Sequence, residues 1–588
     1  MGGEITWECL PAGSSESGKF VFTMKIYRHC LGIALNVSPQ SLSSNSPVPI
    51  ITMNFVSSTY ISPKCDPNDI NDNCTVAVTR QDTGTMEEYV FRSAPVIISG
   101  VPPAAGWTFS WNHAARNNWI INILSSNFTI MAKMYPYYGQ NTYPCFDSSP
   151  QLFERPKNVI CTGYDFTFNL NGADMDLDSL HFDWAQPLDG LSTPVTFIAP
   201  YSYSSPLPDT SFNSGNKAAT INNFNGDIKF KVVSPKGSFV LCNSVKSYRC
   251  GVLISEIFRD YQLLFKNCDP INAGPPATYN TLPDFILPFL IYDTALGFID
   301  TLYVGDSVCF PITIIDFDTN AASQFQALHL EPTGQQLSKT FSDANDCLNP
   351  PCATISPRPD TTSGILNLTY NFCWKAACNH LRRDTSCQRT PAIHRFVFKA
   401  FDDNCPVPGL SIATISIVVI DTNTTVIPVP TLAFTSDTLF CVDTGLYSYQ
   451  WYLDSVEISG DTLSYIIPVL TGNYSVKITL LNTCYSSQLS APYFFLNTGV
   501  ALTNSIDKIS VIPNPFNDKV RIQFQNKLMS SYEINLLDVL GKQLVTFSSE
   551  NMQSNVERDL DFSFVSPGIY FLQIKSGNAQ KTIKLVKE

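Results

Sequence analysis

Short runs of alternating apolar and polar residues recur from one end of the chain to the other, each closed by glycine, proline, asparagine or aspartate. Period-two alternation turns one face of an extended segment inward and the other outward, so these runs predict strands. Residues 19–30, from Lys19 to Cys30, alternate cleanly, and Gly18 supplies the turn from a first strand that ends at Cys9. The pattern is densest in the last eighty residues, 509–588, where runs at 509–512, 520–524, 534–539, 544–547, 569–574 and 582–587 are separated by turn residues. Six strands in that length imply a small antiparallel sandwich. Its expected core is Val511, Ile522, Phe524, Ile534, Leu536, Ile569, Phe571 and Ile574.

The chain as a whole reads as all-β, a tandem array of β-sandwich domains. Changes in pattern place an N-terminal β-rich module at 1–149, sandwiches at 150–270 and 271–425, a further domain at 426–498 and the terminal sandwich at 505–588. The second and third units share an acidic turn, an aromatic strand and an acidic strand end. They resemble cadherin-like or PKD-like repeats of bacterial surface proteins, the third carrying an insertion at 335–390. In the fourth, Cys441 is followed by Trp451, and Tyr474 stands as a candidate tyrosine corner, a pattern similar to Ig-like repeats. Val476 occupies the place of the second Ig cysteine, so that resemblance holds at the level of the fold. The N-terminal stretch loosely resembles modules found at the start of large Bacteroidetes surface proteins.

Four tail motifs carry a more specific resemblance: Pro513-Asn514-Pro515-Phe516, Asp538-Val539-Leu540-Gly541-Lys542, Pro567-Gly568-Ile569-Tyr570 and the basic end at 581–587. Their order and spacing are similar to those of the type A C-terminal sorting domain carried by cargo of the Bacteroidetes type IX secretion system. The resemblance covers the tail alone and singles out Pro513, Asn514, Pro515, Gly541, Gly568 and Tyr570. It implies export to the cell surface or medium, with the tail recognised by the export machinery and usually cleaved. The polar linker at 497–505 is the expected point of cleavage.

Charge and cysteine usage fit such a destination. The 37 basic and 50 acidic residues give a net charge of -13, which opposes nucleic acid binding because no phosphate-neutralising stripe is available. Eighteen cysteines without a repeated C-x-x-C pair point to an oxidising compartment and to disulfides. Cys9 and Cys30 lie near strand ends that a hairpin could bring together, Cys65 and Cys74 could close a polar loop, and Cys441 and Cys484 are the candidates in the fourth unit. No apolar run is long enough for a transmembrane segment. Met1-Gly2-Gly3-Glu4 has neither a basic start nor an apolar stretch, so the sequence is expected to begin at or near a mature N-terminus.

Catalytic chemistry finds little support. The 6 histidines include no H-E-x-x-H, and no G-x-S-x-G is present, so the expectation is that the protein is not an enzyme. Cys373, Cys378, His380, Cys387 and His394 could be counted as zinc ligands, but in an oxidising compartment such cysteines read as bridges. Calcium is the expected cofactor. Asp174, Asp176 and Asp178 alternate along one turn, and Asp316, Asp318 and Asn320 repeat the spacing, although aspartates also make turns for their own hydrogen-bonding reasons. Asp-Ser/Thr pairs at Ser179, Thr294, Thr301, Ser307, Thr361, Thr438, Ser455 and Thr462 resemble the O-glycosylation acceptor of exported Bacteroidetes proteins.

Two readings of function follow. One is a noncatalytic secreted or cell-surface protein in adhesion or surface assembly, with the export machinery and a surface protein or glycan as partners. The other is a carbohydrate-binding or carbohydrate-active protein using Trp107, Trp111, Trp119 and Tyr137 as a stacking platform. Exposure of those rings separates the two, because tryptophan in a sandwich is usually core.

Overall fold

The structure, a computed structural model, describes residues 2–10, 16–61, 74, 85–114, 116, 119–124, 127–137, 145, 147–156, 159–267, 280–319, 323–381, 391–404, 407–421, 427–435, 437–443, 445–481, 484, 486–497, 509–524, 531–550, 557–576 and 579–588. Among these residues the named elements are strands, apart from one 3-10 turn at Cys378–His380. No described helix is long and apolar enough to cross a membrane. The chain divides into two compact units, Met1–Pro428 with Gly445–Tyr447 and Ile478–Gln488, and Val429–Thr444 with Ser448–Lys477 and Leu489–Glu588.

The first unit begins with a 13-stranded sheet that runs across the expected boundary at 149 and 150. The long Val252–Lys266 strand is the reason. Along one edge it pairs with Phe128–Met134 at 255–257 and with Gly2–Cys9 at Arg259 and Asp260. Eight antiparallel strands thereby form a closed hydrogen-bonded circuit, and the modules drawn at 1–149 and 150–270 share one core, with Trp7, Phe22, Phe109, Phe182 and Phe239 all buried.

Register in this sheet buries charge. Glu4 stands directly opposite Arg259 on one neighbour and Lys25 on the other. The Arg259 guanidinium donates to the Glu4 carboxylate and to the Glu154 carbonyl at 2.5 Å, and Lys25 lies 3.3 Å from Glu4. Burial acts to raise the Glu4 pKa, but Arg259 and Lys25 outweigh it and hold that carboxyl below its ordinary range. On the same strand Asp260 forms a second buried pair, with Arg116.

Residues 284–420 form a sandwich of one four-stranded and one six-stranded sheet around Phe310, Ile312, Tyr370, Phe372, Phe398 and Ile415. Asn367–Lys375, which the sequence places inside an insertion, is an interior strand of the smaller sheet. Its tryptophan, Trp374, packs on His380 and His394. In the Ig-like segment Trp451 is fully buried and donates to the Leu463 carbonyl at 2.9 Å. The Tyr474 hydroxyl donates to the Leu470 carbonyl at 3.1 Å, which makes the tyrosine corner.

The cysteines pair across longer distances than expected. Cys9 bonds Cys145 and Cys30 bonds Cys74. The hairpin register explains the first correction: Cys9 stands opposite Phe20 while Gly2 stands opposite Tyr27, so Cys9 and Cys30 lie at opposite ends of it. Cys74 is therefore unavailable to Cys65, which lies outside the described residues. Cys484 bonds Cys378, and Cys441 is a buried free thiol. Cys441 ends a strand of the three-stranded sheet, whereas Cys484 follows a strand of the four-stranded one. Cys309–Cys373 and Cys347–Cys352 are further bridges, and Cys161 and Cys250 are disulfide-bonded as well.

The terminal domain has a three-stranded and a four-stranded sheet, built only from strands between Ile509–Ile512 and Ala579–Lys587. Val520, Ile522, Ile534, Leu536, Leu560, Leu572, Ile574 and Leu585 form its core, with Val511 partly buried against them. Ile569 is exposed and Phe571 lies outside this cluster, contrary to expectation. Alternation along Gly568–Ser576 gives Tyr570, Leu572 and Ile574 the inward parity, so Ile569 and Phe571 take the other face. The Phe524 side chain and most of the 497–505 linker lie outside the described residues.

Candidate functional site

The acidic turn at 174–178 is assembled by local hydrogen bonding. Asp174 Oδ1 accepts the backbone N–H groups of Asp176 at 2.9 Å and Asp178 at 3.2 Å, and Leu177 adopts φ 61°. Gly172–Ala173 pairs with Gln151–Leu152, which brings the preceding segment 147–149 alongside. Carboxylate oxygens of Asp147, Asp174 and Asp178 then lie within 4.8 Å of one another, all three residues buried. Arg249, at the end of the Gly237–Arg249 strand, enters the cluster with Nη2 2.6 Å from Asp178 Oδ2, 3.0 Å from Asp147 Oδ1 and 3.9 Å from Asp176.

The expected triplet is thus changed by one member. Asp176 turns its Oδ2 to the Ser148 N–H at 2.7 Å, and Asp147 takes its place in the group of three. Burial first, and then the neighbouring carboxylates, push the pKa values of Asp147 and Asp174 well above the ordinary range. The second acidic motif forms no comparable group among the described residues. Asp318 accepts from the Thr281 backbone and hydroxyl, while Asp316 Oδ1 accepts the Asp318 N–H at 2.9 Å; Asn320 lies outside the described residues. Asp316 holds this turn by one oxygen, and its Oδ2 is buried without a hydrogen-bond partner.

The zinc count also dissolves. Cys373 and Cys378 are bridged, and Cys387 lies outside the described residues. His380 Nε2 lies 2.8 Å from the Asn349 carbonyl, and His394 Nε2 lies 2.8 Å from the His380 carbonyl. Burial, partly opposed by that last hydrogen bond, pushes the His394 pKa down to about 3. A histidine held neutral in the fold contributes stability that is full above its unfolded pKa and is lost as pH falls toward the folded one. Between pH 7 and pH 5 this group should cost about 2 kcal/mol of stability. Denaturant unfolding at both pH values checks it: His394→Gln should shrink the acid loss by about that amount, and an unchanged loss would contradict it.

Of the proposed aromatic platform, Trp107 and Trp111 are buried in the first core and Tyr137 is partly buried, leaving Trp119 exposed. Trp111 stacks on His113 and donates to Gln40 at 3.3 Å. No exposed aromatic row forms from these four residues. Ser179, Thr294, Thr301, Ser307, Thr361, Ser455 and Thr462 are exposed and Thr438 is half-buried, which gives seven of the eight the access that a modifying enzyme requires.

In the tail, motifs distant in sequence meet. The Asn514 side chain donates to the Lys584 carbonyl at 2.7 Å and accepts the Val586 N–H at 2.9 Å, between Pro513 and Pro515, whose preceding peptide bonds are both cis. Phe516 exchanges backbone hydrogen bonds with Val586 and Glu588, and Lys587 Nζ donates to the Phe562 carbonyl at 2.9 Å. Gly541 takes φ 80° in a turn capped by Asp538, a conformation costly for other residues, and this turn presents Leu540 90% exposed. The Tyr570 hydroxyl donates to the Ser566 carbonyl at 2.6 Å across the turn that contains Gly568.

These features define a multidomain all-β protein that ends in a two-sheet module with its own core. Residues 510–588 match the family described as the secretion system C-terminal sorting domain. The tail is such a domain, and it marks the protein as secreted or carried to the cell surface. No curated protein matches the chain. Among solved structures the chain is similar to the FN1-FN3 domains of chicken CNTN1, at 9% identity over 53% of this chain and 99% of that one, with a TM-score of 0.14. It is also similar to a two-domain fibronectin type-III segment of chicken tenascin, at 13% identity over 27% and 97%, with a TM-score of 0.14. The N-terminal four Ig domains of Dscam1 isoform 4.44 are similar at 10% identity over 75% and 99%, with a TM-score of 0.12. At these TM-scores the likenesses carry no argument, and the all-β assignment stands on the strands themselves.

Proposed function

We propose that the protein is noncatalytic cargo of the type IX secretion system of Bacteroidetes, exported through its C-terminal domain, and that its sandwiches act outside the cell in adhesion or surface assembly. The observation that carries this reading is the sorting tail, folded around its own core at the end of an all-β chain. Bridged cysteines along the upstream domains suit the oxidising destination. A carbohydrate role is less favoured, because Trp107 and Trp111 are taken up by the core.

A binding screen on the protein, with and without residues 505–588, against glycans and surface proteins of the producing cell tests the proposal. Saturable binding to a surface protein is expected, together with no release of reducing ends from polysaccharides. Release of reducing ends would overturn the noncatalytic reading.

A further inference from the structure

The acidic cluster of the first unit holds more carboxyls than cations among the described residues. Among the described residues one guanidinium, that of Arg249, lies among Asp147, Asp174, Asp176 and Asp178. Asp147, Asp174 and Asp178 are buried, whereas the Asp176 side chain is 36% exposed, so three carboxyls share the interior with this guanidinium. Burying such an excess in a low-dielectric interior is costly unless a proton or a cation relieves it.

Two oxygens point to what relieves it. Asp147 Oδ2 and Asp174 Oδ2 are buried, and neither has a hydrogen-bond partner. Both residues are more than nine-tenths buried, at 3% and 4% exposure. Their other oxygens are occupied, Asp147 Oδ1 by Arg249 and Asp174 Oδ1 by the backbone of the turn. Hydrogen bonding therefore orients each carboxylate by one oxygen and leaves the second free, as a coordinating oxygen would be. Spacing within 4.8 Å lets one ion of calcium size touch oxygens of all three aspartates. A cavity of about 260 Å³ has Asp174 and Asp178 in its wall, together with His181, Tyr248 and Gln336.

We propose that Asp147, Asp174 and Asp178 bind a calcium ion that latches the 147–149 segment to the 174–178 turn. Calcium suits the site better than magnesium. The donors are hard oxygens in an irregular arrangement, whereas magnesium demands near-ideal octahedral geometry and gives up its water reluctantly. Arg249 acts as a positioning residue: it fixes Asp178 and Asp147 and lowers the total charge, which favours the moderate affinity of extracellular modules over that of cytosolic buffers. The latch is independent of the proposed function, since adhesion and export require no metal at this point.

The test is calorimetric titration of calcium chloride into the chelator-treated full-length protein, with thermal melting alongside. One calcium per chain should bind at this site, with a Kd of about 10⁻⁴ to 10⁻³ M. The melting midpoint should rise by several degrees when calcium is about a hundredfold above Kd. Asp147→Asn and Asp174→Asn should each weaken binding at least tenfold, while Asp316→Asn leaves it unchanged. Without metal these two variants should melt no lower than the wild type, because each removes repulsion; this separates a lost ligand from a damaged fold. Absence of calcium binding, unaltered binding in both variants, or tighter binding of magnesium would overturn the assignment.

Discussion

A protein lacking residues 505–588 should keep its upstream sandwiches folded and yet accumulate in the periplasm, with surface and medium levels falling to background. The physical basis is the independence of the tail sheets. Every strand in them lies between 509 and 587, so among the described residues deletion removes no ladder hydrogen bond from the domains before it. Point substitution should act as strongly as deletion. A domain of about eighty residues has roughly 4 to 12 kcal/mol of stability in total, and an unpaired carboxylate at Val520 or Ile534, both within 1% exposure, removes several kcal/mol. Val520→Asp and Ile534→Asp should therefore abolish export without touching the recognition motifs. Fractionation of a type IX secretion host, with the tail also fused to a foreign periplasmic protein, provides the measurement. A tail-less protein that reached the surface in normal amounts would refute the assignment.

Arg259→Met should destabilise the first unit by about 3 to 5 kcal/mol, the range seen when one partner of a buried ion pair is removed. Arg259 and Glu4 are each 1% exposed, and the change leaves the Glu4 carboxylate inside the sheet with only Lys25 at 3.3 Å. Replacing both charges should cost much less, because the double variant Glu4→Gln/Arg259→Met strands no ion. Denaturant melts of the two singles and the double form a cycle. Equal losses for Arg259→Met and the double variant would show that packing of the arginine stem, not its charge, is what matters.

The strands were legible because alternation is a local property, and Tyr474 and Trp451 announced their places because each sits in a short pattern. What failed was long-range. Asp147 stands far from 174–178 in sequence and joins them only because Gln151–Leu152 pairs with Gly172–Ala173, a ladder that no local pattern signals. Arg249 is more distant still, and Arg259 meets Glu4 only because the Val252–Lys266 strand lies beside Gly2–Cys9. The cysteine pairs failed for the same reason, since spacing suggested neighbours while strand register separates Cys9 from Cys30. Ile569 and Phe571 show a different limit. The run from Ile569 to Leu572 is apolar at both parities, so it predicts a strand without saying which side faces in. The platform reading of Trp107 and Trp111 failed because a ring large enough to stack on a sugar is also the ring a core most readily buries.

The side chain of Asn514 closes the tail onto residues 584 and 586, and Phe516 pairs as far along as Glu588. The Pro-Asn-Pro segment is thus fastened to the Ala579–Lys587 strand, across sequence separations of 70 and 72 residues. A variant without 579–588 would hold the earlier motifs and still lack the hydrogen bonds that close Asn514 and Phe516, so the separate motifs of the tail work as one folded surface.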